Sequence, residues 1–176
     1  MKFFKHISRI SKKRGFTLLL AALVSSIALS LGTSIYTIVS KEILLSSIGR
    51  NSQFAFYAAD TGAECALFWD ERSDIHPNTF ATSSASQGTA ASVMCDNVSA
   101  PVTIASASAN AATSTFEVAL FQDVAAGGFC TDVTVAKFID GTGAVRTYVD
   151  VNGYNVACNA IAGSPNALQR SVQLQY

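Results

Sequence analysis

The chain has 176 residues, 49% of them hydrophobic and only 14% charged, which allows one domain plus an appendage. Formal net charge is zero, yet six of the twelve Lys/Arg lie in the first fourteen residues (Lys2, Lys5, Arg9, Lys12, Lys13, Arg14), with no acid among them. Beyond residue 15, six Lys/Arg face twelve Asp/Glu, a net charge of −6 that offers no basic patch for phosphates and argues against nucleic-acid binding.

The basic end reads as a topology signal that keeps the N-terminus in the cytoplasm. From Phe16 to Val39 there follow 24 positions without a charge. As a helix these span roughly 36 Å at about 1.5 Å per residue, enough to cross a bilayer core. A secretory signal would stop after about 7–15 apolar residues. Here the helical pattern continues through Lys41 and Glu42 to Ile48, Phe54 and Tyr57, and no proline occurs before Pro77. The reading is a membrane half at 16–40 and an amphipathic half at 41–74 of one helix on the order of 80–90 Å. Two lines of small residues mark the membrane half: Ala21, Ser25, Ala28 and Gly32, then Ala22, Ser26, Ser30, Ser34 and Thr37. Small side chains let helix backbones approach closely in an apolar medium, so this is a helix suited to packing on others.

The string Arg14-Gly15-Phe16-Thr17-Leu18-Leu19-Leu20 resembles the class III signal of type IV prepilins and pseudopilins. That resemblance implies that residues 1–15 are a basic leader peptide. It implies cleavage by prepilin peptidase after Gly15, methylation of Phe16, and a filament core formed with other pilin subunits through helix packing. It further implies residence in the inner membrane before assembly, then a place in an extracellular filament or at the cell surface. Leu20 stands where most of the family has a glutamate that pairs with a neighbour's N-terminal amine, and Thr37 replaces the common helix-breaking proline. The stretch Asn51 to Ala63 (NSQFAFYAADTGA) is similar to a helix signature of PilX-type minor pilins, and Glu42 falls near a glutamate of that branch. The implied role is a minor pilin or pseudopilin of a type IV pilus or type II secretion-like filament. The alternative is a surface binding protein or adhesin held by an uncleaved signal anchor.

Phe54, Tyr57, Thr61, Cys65 and Phe68 share one stripe at helical spacing, expected to be the face that packs on a sheet. His76-Pro77-Asn78 is a helix stop. Residues 79–115 are rich in Ser, Thr and Ala and read as a long connector, with strand-capable pieces near Ser92–Val98 and Pro101–Ile104. Strands are expected at Thr115–Gln122, Phe129–Ile139, Ala144–Asn155 and Arg170–Tyr176, with Asp140-Gly141-Thr142-Gly143 as a turn. The fold class is therefore α+β and pilin-like: one long N-terminal helix on a C-terminal antiparallel sheet of about four strands, residues 75–176 forming the exported domain. Gly153 is read as a bulge.

Cys65, Cys95, Cys130 and Cys158 are widely spaced on the exported side, a disulfide pattern more than a metal one. The hairpin makes Cys130–Cys158 the natural pair and leaves Cys65 for Cys95, although spacing alone does not fix connectivity. Each such closure contributes roughly 3 kcal/mol in the chain-entropy model. No catalytic constellation, cofactor motif or metal motif is read from the sequence. His76 is taken as a turn residue, and Asp140-Gly141-Thr142-Gly143 and Asp150-Val151-Asn152-Gly153 as turns that lack a calcium loop's closing glutamate.

Overall fold

The computed structural model describes residues 14–71, 79–85, 92–121 and 128–176. The leader up to residue 13, the His76-Pro77-Asn78 stop, positions 86–91 of the Ser/Thr-rich stretch, and Gln122 lie outside the described residues. Contacts divide the chain into two units, Met1–Ser47 and Ile48–Tyr176. In the first, the described residues belong to helix α1, which runs from Arg14 to Glu71, and the side chains from Phe16 to Ser47 are all exposed.

In the second unit the later part of α1 packs on a five-stranded antiparallel sheet. Its strands are β3 (Thr103–Ala107), β4 (Ala111–Leu120), β5 (Phe129–Ile139), β6 (Val145–Tyr154) and β7 (Gln169–Gln175), arranged in that order as a meander. A separate hairpin is formed by β1 (Ser92–Cys95) and β2 (Val98–Pro101). Its turn residues Asp96 and Asn97 both have positive φ, as a two-residue type I′ turn requires. The expected connector thus contains three strands. They overlap the strand-capable pieces read near Ser92–Val98 and Pro101–Ile104; their extent was not legible because Ser, Thr and Ala give little hydrophobic alternation, and β3 (TIASA) is exposed at every position.

The strands that alternate clearly build the core. Phe116, Val118 and Leu120 of β4, Val133 and Val135 of β5, and Val149 and Val151 of β6 are buried on the face toward α1. Phe80 stacks on Phe116 at 5.8 Å between ring centroids and closes one end.

The helix face that meets the sheet is not the aromatic stripe. Ala55, Ala58, Ala59, Gly62, Ala63 and Ala66 are buried, whereas Phe54, Tyr57 and Phe68 are exposed. Phe54 keeps a partial contact, stacking on Phe129 at 5.1 Å. The physical reason is a close approach of backbones. A Cβ on Gly153 would overlap the carbonyl oxygen of Ala55 and the nitrogen of Ala59, and one on Gly62 would overlap Thr131 Oγ1. Only small side chains fit such a seam, so large ones turn outward. Gly153 is accordingly no bulge: the β5–β6 register runs unbroken from Cys130↔Tyr154 to Ile139↔Val145. The irregularity among these ladders falls instead in β3, between Ile104 and Ser106.

Two disulfides close the unit. Cys65–Cys95 (Cα–Cα 5.9 Å) ties α1 to the β1–β2 hairpin, assisted by Trp69 Nε1 donating to Met94 O at 3.1 Å. Cys130–Cys158 (Cα–Cα 4.8 Å) ties β5 to a 3-10 turn at Cys158–Ala160. With sequence separations of 30 and 28, each removes about 3.5 kcal/mol of unfolded-chain entropy in the loop-closure model.

The end of α1 is fixed by charge. Asp70 forms an ion pair with Lys137 of β5, accepts a hydrogen bond from Tyr176 Oη at 2.8 Å, and accepts a longer one from Thr147 Oγ1 of β6 at 3.5 Å. The side chains of Lys137 and Asp70 are 14% and 6% exposed, so this is a nearly buried pair with its lone pairs used.

Candidate functional site

The surface that distinguishes this chain is the N-terminal part of α1. Gly15 and Phe16 lie in its first turn, and Phe16 and Leu20 are exposed. Leucine, alanine and methyl-bearing side chains favour the helix in an apolar medium, and no charge interrupts it up to Val39. The helix is long and apolar enough to cross a membrane, and none of its most apolar stretch is buried within the molecule. That exposure separates it from the core helix of a globular domain, which meets the same length and composition test while buried.

Its polar atoms are arranged to suit such a surrounding. Every Ser and Thr from Ser25 to Ser40 returns its hydroxyl to a carbonyl three or four residues earlier: Ser25 to Ala21 at 2.7 Å, Ser26 to Leu23 at 2.8 Å, Ser30 to Ile27 at 2.9 Å, Thr33 and Ser34 to Ser30 at 3.0 and 2.9 Å, Thr37 to Ser34 at 2.8 Å, and Ser40 to Tyr36 at 2.8 Å. A hydroxyl left unpaired in hydrocarbon costs several kcal/mol, so these contacts let small polar residues line an apolar face. Gly32 has no neighbour within 4 Å of where a Cβ would stand. The two small-residue lines are therefore open to another helix.

The candidate chemical groups in the β domain are otherwise engaged. His76 lies outside the described residues. Glu117, Cys130 and Cys158 lie close enough together to hold a metal, but both sulfurs are consumed by the disulfide. Asp140 closes the β5–β6 turn: its Oδ1 accepts from Thr142 N (2.8 Å), Thr142 Oγ1 (2.5 Å) and Ala144 N (3.0 Å), and its Oδ2 from Arg146 Nε (3.2 Å). Asp150 accepts from Gln173 and Asn152 from Ser171, each at 2.6 Å, as cross-strand pairs. Asp132, on the same outer face, is raised above the ordinary aspartate range by burial and then by the charge of Asp150.

The Asp140 turn gives a pH expectation. The hydrogen bonds from the Thr142 side chain and backbone, followed by those of Ala144 and Arg146, lower its carboxyl from 3.8 to about 2. The folded state therefore binds its proton less readily than the unfolded chain. The turn's contribution is complete above about pH 4 and is lost as pH falls toward 2. Carboxyl NMR titration should place the Asp140 midpoint near 2, and Thr142→Val should move it upward. A midpoint at the ordinary value in both would show that the turn does not hold the carboxylate.

The sequence did not single out the Ala55–Ala66 seam, the Asp70 clasp or Asp96, whose Oδ2 accepts from Phe121 N at 3.0 Å and holds that residue at φ 52°. The alanines did carry a signal, since 55, 58, 59, 63 and 66 recur at helical spacing. Comparison with protein-family models, with curated proteins and with solved structures finds no match to this chain.

Proposed function

We propose that this chain is a structural subunit of a type IV pilin-like filament, a minor pilin or pseudopilin of a pilus or a type II secretion-like machine. The observation that carries the reading is the Arg14-Gly15-Phe16 junction at the head of a helix that is uncharged from Phe16 to Val39, with open, internally satisfied faces there. Gly15 presents no side chain to a protease cleft, and the basic residues before it keep the scissile bond at the cytoplasmic face. Cleavage frees the Phe16 amine for methylation. The apolar helix then exchanges lipid for the helices of other subunits, where the drive comes from close packing. Leu20 offers no carboxylate to a neighbour's N-terminal amine, which favours a minor position over the repeating subunit of the shaft. No catalytic step is part of the proposal. The helix–sheet unit with two disulfides serves as the part outside the membrane.

The test is the N-terminus of the mature protein. Mass spectrometry should find N-methyl-Phe16, and Gly15→Val should leave nearly all of the chain at full length. A Gly15→Val chain that still begins at Phe16 would sink the cleavage step. A wild-type chain retaining Met1 in the membrane would favour the anchored adhesin instead.

A further inference from the structure

Where the β5–β6 turn meets the last residues of β7, an open cleft of about 400 Å³ is lined by Phe138, Asp140, Arg146, Tyr148, Gln175 and Tyr176. Small-ligand sites occupy this range of volume. Phe138, Arg146, Tyr148 and Gln175 hold the alternate strand positions turned away from α1, since Val133, Val135, Val149 and Val151 take the other face. The rings of Phe138 and Tyr148 stack nearly parallel with centroids 5.6 Å apart, and Tyr148 remains 41% exposed. Polar groups surround this platform, and each keeps bonding capacity. Gln175 Nε2 donates to Tyr148 Oη at 2.8 Å, which leaves the amide oxygen to accept and the phenol hydrogen to donate. Arg146 donates through Nε to Asp140 at 3.2 Å, so its place is fixed while its other N–H groups remain available on a side chain 52% exposed.

We propose that this cleft binds a neutral glycan, one sugar ring lying on Tyr148 with its hydroxyls held by Arg146, Gln175 and Tyr148 Oη. A pyranose has an apolar C–H face and a rim of hydroxyls that both donate and accept. That matches an aromatic platform edged by unspent donors and acceptors. Charge decides against ions. Arg146 is balanced by Asp140, and it is the only cation among the outward positions of β3 to β7. The other charges on that face, Glu117, Asp132 and Asp150, repel an anionic ligand. A metal cation finds Asp140 engaged: Oδ1 accepts from Thr142 and Ala144, and Oδ2 from Arg146. A peptide recognised by strand pairing needs free backbone, and β5 and β6 under the cleft spend theirs in ladders on both sides. The cleft lies wholly within the second unit, so an unprocessed N-terminus would leave the binding standing.

The test titrates the full chain in detergent micelles with neutral di- and trisaccharides of glucose, galactose, mannose and N-acetylglucosamine. At least one should bind at millimolar concentration and shift the side-chain NMR signals of Gln175 Nε2 and Arg146 Nε. Tyr148→Ala should weaken that binding by about tenfold or more, since the aromatic anchor of a site carries much of its affinity. Gln175→Ala, exposed on the edge strand, should weaken it by roughly threefold, the loss of one hydrogen bond, with the unfolding temperature unchanged. Tyr154→Ala, on the same face at the far end of β6, should leave binding as it is. Polysaccharide stripped from the producing cell's own surface, added as competitor, separates a ligand of that surface from a foreign one. No shift with any of these sugars, or tighter binding of their sulfated or carboxylated forms, would overturn the proposal. So would binding undiminished in both Tyr148→Ala and Gln175→Ala, or as sensitive to Tyr154→Ala as to Tyr148→Ala.

Discussion

Gly153→Val should separate α1 from the sheet and prevent the β domain from reaching a stable fold. The atoms that a Cβ at 153 would meet are backbone atoms, the oxygen of Ala55 and the nitrogen and Cα of Ala59. Backbone cannot rotate aside as a side chain can. Ordinary overpacking of a core costs about 1–3 kcal/mol. Here relief requires moving the helix away from Val133, Val149 and Val151, so the loss should lie at or above the top of that range. Against a typical total of about 5–15 kcal/mol this is a large share. Gly62→Ala provides the comparison. Its Cβ would meet side-chain atoms of Thr131 and Val151, the latter at 2.9 Å, which have rotamers to use. Urea unfolding followed by Trp69 fluorescence should rank the variants Gly153→Val, Gly153→Ala, Gly62→Ala in decreasing severity. A Gly153→Ala midpoint equal to wild type would show that the seam is looser than described.

The second large effect concerns Asp70. Asp70→Ala removes the partner of Lys137, which then keeps a largely buried ammonium without a counter-charge, and also strips acceptors from Tyr176 and Thr147. Breaking one side of a buried pair costs about 3–5 kcal/mol. Asp70→Ala with Lys137→Met should recover much of that loss, because an apolar pair has no charge to strand. If the double variant is no more stable than the single one, the cost does not arise from the uncompensated lysine. The same node responds to alkali. Burial, then the hydrogen bond and charge of Asp70, raise the Tyr176 phenol above its ordinary value of 10.0. The folded state holds that proton more tightly than the unfolded chain. Its contribution is therefore complete below about pH 10 and is lost as pH rises beyond it.

How far the sequence carried depends on which signal each element used. Absence of charge and of proline is enough to define a helix from Phe16 onward, and β5 is legible to the residue, Phe129 to Ile139, because its β-branched residues alternate between Gly-rich boundaries. β4 begins at Ala111, four residues before the hydrophobic alternation becomes visible, because Ala112 and Ser114 are buried without being strongly apolar. The helix face was misread for a related reason. Hydrophobic periodicity weights Phe and Tyr most, whereas the geometry was decided by Gly153, far later in the chain, against Ala55 and Ala59. Nothing local to α1 records that β6 passes close enough to exclude side chains. The candidate site divides the same way. The run of apolar residues and the Gly15-Phe16 junction are sequence features, but that each serine and threonine from Ser25 to Ser40 folds its hydroxyl back onto its own helix is a property of the backbone once formed.

The two cross-links have a consequence for how the native state is reached. Each cysteine is joined to the next one along the chain, 65 to 95 and 130 to 158, and the sheet is a meander in which every strand pairs with its sequence neighbour. A polypeptide delivered N-terminus first thus meets its partners in order of arrival. Cys95 emerges while Cys65 is the sole available thiol ahead of it, and that pair can close before Cys130 appears. An oxidant acting on the emerging chain then makes these bonds in order without later reshuffling, while the α1 face waits for β6, whose Gly153 lies against Ala55 and Ala59.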